Sequence, residues 1–285
     1  MPIQKWRFIY TGQGDPYFNM AVDEALLSSV QDGSSPILRL YEWNPPGVSI
    51  GYFQKVNKTV DIDKCLRKGV KLVRRITGGR AVLHNEELTY SFSGSCKIFP
   101  ELGNTVSETY KQISEALLSS LSFLGVEAQW VKPSGGMINK EDPAYKKESK
   151  PYTKNSFILP CFSSFSRYEI SCQGRKLVGS AQRRFREIFL QHGSILLKKG
   201  ELDLADFLPA NSLIKGAKSL ENSTSIEKIK GKKIERKEII RALKRGFSEV
   251  FQKDFEEDSL TEEELKTAKE LRMNKYSKDF WNFRV

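Results

Sequence analysis

Arg74-Arg75-Ile76-Thr77-Gly78-Gly79-Arg80-Ala81-Val82-Leu83-His84 is the stretch on which the reading of this chain turns. It reads as strand, glycine turn, strand. Residues 70–75 form an apolar and basic run of strand length, and residues 81–84 open a second. Two adjacent glycines let the backbone bend sharply and approach a ligand with no Cβ in the way. Three arginines within seven residues place fixed positive charge beside the bend. Taken alone, the pattern fits a β-hairpin with a Gly-Gly turn and solvated arginines as well as it fits a ligand-holding loop.

Working outward, residues 6–10 alternate as a first strand, and Asp15 followed by Pro16 is a helix start. Phe18, Ala21, Val22, Ala25 and Leu26 recur at helical spacing, which leaves Asp23 and Glu24 on another, solvated face. Residues 37–42 and 48–53 read as paired strands joined through Pro45 and Pro46. Residues 61–68 form a short helix stopped by Gly69, residues 88–92 a strand, and residues 105–124 a long amphipathic helix. Residues 126–131 read as a strand. Residues 132–154 lack periodicity and read as a surface loop, a candidate lid. A hairpin turning at Gln173-Gly174 and a strand over 189–197 follow. Helices over 237–251 and 261–272 close the chain, the second opened by the capping box of Thr261 and Glu264. Strands in the middle with flanking helices make the class α+β, with a mixed, largely antiparallel sheet. The expected division is a catalytic domain over 1–210, a lysine-rich linker over 211–234 and a small helical appendage over 235–285.

With 285 residues, 39% hydrophobic and 28% charged, the chain can bury a full core. No apolar run approaches the ~20 residues that cross a bilayer. The first residues lack a signal peptide's apolar core, so a cytoplasmic protein is expected. The balance of 46 Lys+Arg against 35 Asp+Glu favours an acidic partner, either nucleic acid or an acidic carrier protein. No helix-turn-helix, zinc or RNP signature accompanies the charge, which counts against nucleic acid. Cys65, Cys96, Cys161 and Cys172 form no CxxC pair, so neither a metal site nor a redox dithiol is indicated.

The stretch 74–84, followed by Glu87-Leu-Thr-Tyr-Ser91, resembles the signature of the lipoate–protein ligase and octanoyltransferase family. Asn19-Met-Ala-Val-Asp-Glu-Ala-Leu26, Gly174-Arg-Lys-Leu-Val-Gly-Ser-Ala-Gln-Arg183 and Leu190-Gln-His-Gly-Ser-Ile-Leu196 agree in the same order. The only two histidines, His84 and His192, both fall inside these blocks. The resemblance implies the biotin/lipoate ligase catalytic fold, with the acyl chain in a slot between sheet and glycine loop. It implies Ser49 and Gly51 along that slot, with Arg39 nearby. Arg75, Gly78, Gly79 and His84 would also serve substrate binding.

Two chemistries occur on such a fold. A ligase activates a free acid with ATP. A transferase moves acyl from a thioester onto its own cysteine and then to a lysine amine, a route suited to the intrinsic nucleophilicity of a thiolate. Cys161, in Leu159-Pro-Cys-Phe-Ser-Ser164, resembles the cysteine loop of the octanoyltransferase branch, and Cys96 is the second candidate. Lys176 matches the family lysine that contacts the acyl carbonyl or the adenylate phosphate. A cation there would favour the thiolate and steady the tetrahedral oxygen. The implied function is octanoyl transfer from acyl carrier protein to the lysine of a lipoyl domain or of glycine-cleavage H protein, by a monomer needing no cofactor or metal. The alternatives are an ATP-dependent lipoate ligase, with Arg74, Arg75 and Lys176 on phosphates, and an amidotransferase that takes acyl from H protein.

Overall fold

A computed structural model describes residues 5–130, 169–209 and 222–284. The chain runs β1 (Trp6–Gly14), α1 (Pro16–Gln31), β2 (Ile37–Trp43), β3 (Gly47–Ile50), α2 (Val56–Thr59), α3 (Ile62–Arg67), β4 (Lys71–Arg74), β5 (Val82–His84) and β6 (Glu87–Ser95). It continues through α4 (Val106–Phe123), β7 (Gln129–Trp130), β8 (Ile170–Cys172), β9 (Arg175–Phe185) and β10 (Ile188–Leu196). It ends with α5 (Ile226–Lys230), α6 (Arg236–Phe251), β11 (Phe255–Asp258), α7 (Glu262–Leu271) and α8 (Asp279–Asn282). The class is α+β, as expected, and no described helix is long and apolar enough to cross a membrane.

The large sheet has the order β11-β1-β2-β6-β10-β9-β8-β7. Among its described strands, only the β11–β1 and β1–β2 pairs are parallel. Alternation along each strand decides which face meets what. On β6, Leu88, Tyr90 and Phe92 enter the core shared with α4 and α6, together with Trp6, Leu38 and Phe247. Glu87, Thr89 and Ser91 have the opposite parity, as do Arg39 and Tyr41 on β2, and all five are buried. That second face meets α1, whose Met20, Ala21 and Leu26 pack with Ile9, Ile37 and Tyr41. The large sheet therefore carries an apolar face and a face where buried polar groups collect.

The glycine stretch departs from the hairpin reading. Strands β4 and β5 do not pair with each other. Both flank β3, β4 in parallel and β5 antiparallel, as a separate three-stranded sheet. The expected pairing of residues 37–42 with 48–53 fails for the same reason. Strand β2 has both edges occupied by β1 and β6, and β3 has both occupied by β4 and β5. Residues 126–128, expected in a strand, are not in one.

The stretch read as a solvated linker is folded where it is described. Ser225 caps α5, Ile226 and Ile234 are buried in the main core, and the backbone of Lys176 is bonded on either side to Asn222 and Thr224. The C-terminal segment also joins the body. Strand β11 extends the large sheet beside β1, and α7 packs on α1.

Candidate active site

A cavity opens between the polar face of the large sheet and the small sheet. Ser49 of β3, Arg75, Gly79 and His84 of β5 line one side. Gly179 and Ser180 of β9 and His192 of β10 line the other. Met20, Trp43 and Val82 make much of the wall apolar.

The glycine loop is held by close backbone approach. Gly79 adopts φ +88°, and a Cβ on it would meet Arg75 Nη2 at 2.8 Å. A Cβ on Gly51 would strike the carbonyl of Gly79, so this turn can lie against the loop only as glycine. Gly78 has no such constraint in space.

Arg75 organises the cavity floor. Its Nη1 donates to Ser49 O and Ser49 Oγ, both at 3.0 Å, and its Nη2 donates to Gly78 O and Arg80 O. Its Nε donates to Thr77 Oγ1 at 3.2 Å and to Gly78 O. Two hydroxyl–imidazole–carboxylate chains thus begin at one guanidinium. In the first, Ser49 Oγ lies 2.7 Å from His84 Nε2, and His84 Nδ1 lies 2.6 Å from Glu87 Oε1. In the second, Thr77 Oγ1 lies 2.7 Å from His192 Nε2, and His192 Nδ1 lies 2.9 Å from Asp23 Oδ2. A guanidinium only donates and a carboxylate only accepts, so both chains run one way. Each hydroxyl donates to Nε2, and each Nδ1–H donates to its carboxylate.

The two chains differ in charge. Asp23 is compensated, because Arg39 Nη1 donates to Oδ1 at 2.7 Å and the Tyr41 hydroxyl donates to Oδ2 at 2.9 Å. Burial would raise the Asp23 carboxyl, but the Arg39 charge and the bonds from His192 and Ser91 outweigh it and hold it low. His192 is held below its ordinary value by burial, reinforced by the Arg75 charge and only partly opposed by Asp23. Among the described residues, Glu87 has no guanidinium or ammonium against it. Its Oε1 accepts from His84 and from Thr89, and its Oε2 has no hydrogen-bond partner. Trp43 stacks on the His84 ring at 3.9 Å and donates through Nε1 to Thr89 Oγ1.

Of the site residues predicted from sequence, Ser49, Arg75, Gly79 and His84 line the cavity. Arg39, Gly51, Gly78 and Lys176 do not. Arg39 is fully buried behind it, fixing Asp23 and the Asn19 carbonyl. Lys176 is not the solvated hairpin lysine that its position could also suggest. It is fully buried, with Nζ 2.6 Å from Glu169 Oε1. Cys161 lies outside the described residues. Cys65, Cys96 and Cys172 are buried, and burial pushes each thiol up, Cys65 to about 12. Arg74 does not face the cavity as a phosphate ligand would. It donates to the carbonyls of Gly51, Tyr52, Gln54, Trp281, Asn282 and Arg284.

Sequence reasoning missed Asp23, Thr77, Glu87 and His192 as members of the site. Asp23 was expected in solvent and is 1% exposed. The available signal was that both histidines and Glu87 fall inside the ordered blocks.

The lipoyl protein ligase A/B catalytic domain family matches residues 15–248. Octanoyltransferase LipM of Staphylococcus epidermidis is 40% identical over 284 residues, covering 98% of each chain. The protein of the same name from Anoxybacillus flavithermus is 40% identical over 289 residues, covering 100% of each. Among solved structures, lipoate-protein ligase A bound with ATP superposes with a TM-score of 0.74 at 28% identity, covering 98% of both chains. The bi-partite lipoate protein ligase from Thermoplasma acidophilum, studied with its E2 lipoyl domain, gives 0.74 at 28%, covering 98% of this chain and 96% of that one.

Proposed function

The chain belongs to the lipoyl protein ligase A/B catalytic-domain family, and from that premise we propose that Cys161 carries the acyl group as a thioester, with Lys176 beside the reacting carbonyl. The protein is an acyltransferase, an octanoyltransferase of lipoate biosynthesis. The observation that carries this reading is full-length identity of about 40% to octanoyltransferases, combined with an apolar-walled cavity under the glycine loop.

Octanoyl carrier protein is the donor. The thiolate attacks the incoming thioester, and the carrier leaves as its own thiol, a nearly balanced exchange that spends no nucleotide. The acceptor is the lysine of a lipoyl-domain protein, with glycine-cleavage H protein as one candidate. Its amine then attacks the Cys161 thioester and forms the amide. A lysine held without water near the sulfur favours the thiolate and stabilises the oxyanion. The burial of Lys176 supports such a role, because a buried lysine is retained at a cost.

An ATP-dependent ligase would use the arginines of the glycine stretch on phosphates. Both Arg74 and Arg75 already donate to protein oxygens through all three guanidinium nitrogens. Intact mass after mixing with octanoyl carrier protein tests the transferase directly. One octanoyl adduct is expected, removed by hydroxylamine and absent in Cys161→Ser. Full-rate transfer by Cys161→Ser would sink the thioester route, and lipoyl-AMP formed from lipoate and ATP would replace it with the ligase.

A further inference from the structure

Two similar relays flank the cavity, yet only one is built to take up a charge. The Thr77–His192–Asp23 relay is already balanced, because Asp23 has the Arg39 cation as well as Tyr41 on its oxygens. Its hydroxyl is also walled off, since Thr77 is fully buried and does not line the cavity. In the Ser49–His84–Glu87 relay, both the hydroxyl and the imidazole line the cavity. The carboxylate at its end is buried, 3% exposed, and one of its oxygens is unbonded. A buried carboxylate without a counter-charge is costly, and a positive imidazolium beside it removes that cost.

Resting on the transferase reading above, we propose that Ser49, His84 and Glu87 form the relay that takes the proton from the acceptor amine as the octanoyl group leaves Cys161. The amine enters neutral, having left its extra proton in solvent. Its nitrogen attacks the thioester carbonyl, the C–N bond forms, and the C–S bond breaks with its electron pair on sulfur. The amine's surplus proton passes to Ser49 Oγ while the Ser49 proton passes to His84 Nε2. The resulting imidazolium is held by Glu87, and its proton finally returns to the thiolate. Arg75 keeps the hydroxyl aimed, because its Nη1 donates to Ser49 Oγ at 3.0 Å and leaves that oxygen's proton for the ring. Glu87 is a positioning residue, acting through His84 at 2.6 Å. The thiolate attack on the carrier thioester has no amine to deprotonate, so the relay serves only the second half of the reaction.

The charged and titratable groups around the ring are Glu87 from β6, Arg75 across Ser49, and His192 from β10 with Asp23 behind it. Ser194 Oγ lies 3.3 Å from Nδ1, and Trp43 covers one ring face. Among the described residues, only Glu87 touches the ring with a negative charge.

The test measures the two half-reactions separately with the full chain. Octanoylation from octanoyl carrier protein is followed by intact mass. Decay of the isolated octanoyl-enzyme is followed after adding apo lipoyl domain. In His84→Gln and Ser49→Ala, transfer to the acceptor should fall about 100-fold further than octanoylation does, as loss of a general base implies. The wild-type transfer rate should rise with pH through one ionisation that His84→Gln lacks. In Glu87→Gln that limb should move to lower pH. If His84→Gln does not fold, Ser49→Ala alone must show the split. Equal slowing of both half-reactions, or a pH limb unmoved by Glu87→Gln, overturns the relay. A wild-type enzyme that forms no octanoyl adduct overturns the Cys161 route first, and the relay with it.

Discussion

Asp23 and His192 show how much a single buried contact decides at the scale of one residue. Burial pushes His192 below its ordinary value of 6.5, helped by the Arg75 charge. The unfolded chain therefore binds a proton that the native chain refuses, so stability falls as pH drops below about 6.5. Asp23 acts lower on the scale. Burial alone would raise it, but Arg39 and His192 hold it below its ordinary 3.8. The stability it contributes is complete above that value and is lost as pH falls through the folded one. The melting temperature plotted against pH should fall in two stages. His192→Gln should remove the first stage and Asp23→Asn the second. Asp23→Asn should also cost roughly 3–5 kcal/mol at neutral pH, because Arg39 stays buried without its counter-charge. A single acid limb shared by all three proteins would contradict this assignment.

Between elements, two glycines in similar straits should give opposite outcomes. Gly51 follows β3 directly beneath the Gly79 carbonyl, whereas Gly246 on α6 lies against Ser120 N and Ala116 O of α4. Gly51→Ala must shift the loop that floors the cavity, and a displacement near 1 Å can cost about 100-fold in rate. Octanoyl transfer should collapse in this variant while denaturant unfolding changes little. Gly246→Ala must instead separate two helices on the far face. Unfolding free energy should drop by about 1–3 kcal/mol, with kcat of the folded enzyme unchanged. What was legible from sequence at this scale follows the same line. Helix starts were readable because their signals are local: Asp15 accepts from Tyr17 N, and Thr261 with Glu264 forms both bonds of its box. The partners of β4 and β5 were not, because an adjacent-strand signal competes with a third strand, β3, that the chain has already laid down. Asp23 read as solvated because its fate depends on Arg39, which arrives from another element with no mark in the pattern. His84 was found through the ordered blocks and Ser49 through the slot that the resemblance implies, but their direct contact was not, since no spacing rule relates residues on neighbouring strands of unknown register.

The whole molecule closes on itself at two arginines. Arg7 on β1 donates to Asp258 and Glu264, and Arg74 donates to three carbonyls of the segment around α8. Trp281 returns a bond from its Nε1 to Arg74 O. The C-terminal segment is thereby fastened behind the glycine loop, and it brings charge to that side. Arg284 and Arg183 both stack on Tyr52, next to Phe53, which is 75% exposed. Basic groups beside an exposed aromatic ring, on a chain of net charge +11, suit the approach of an acidic protein bearing the acceptor lysine. Long-range attraction between such surfaces is screened over about 8 Å at physiological salt, so it acts on encounter more than on chemistry. The kcat/KM for transfer to an acidic lipoyl domain should therefore fall steeply between low and high ionic strength, with kcat nearly constant. A small neutral amine has no charged surface to steer, and its octanoylation should be insensitive to salt. Charge reversal at Arg183 or Arg284 should reduce the salt dependence for the protein acceptor and leave the small amine unaffected. Equal salt sensitivity for both acceptors would place the effect in the cavity and remove this surface from the docking route.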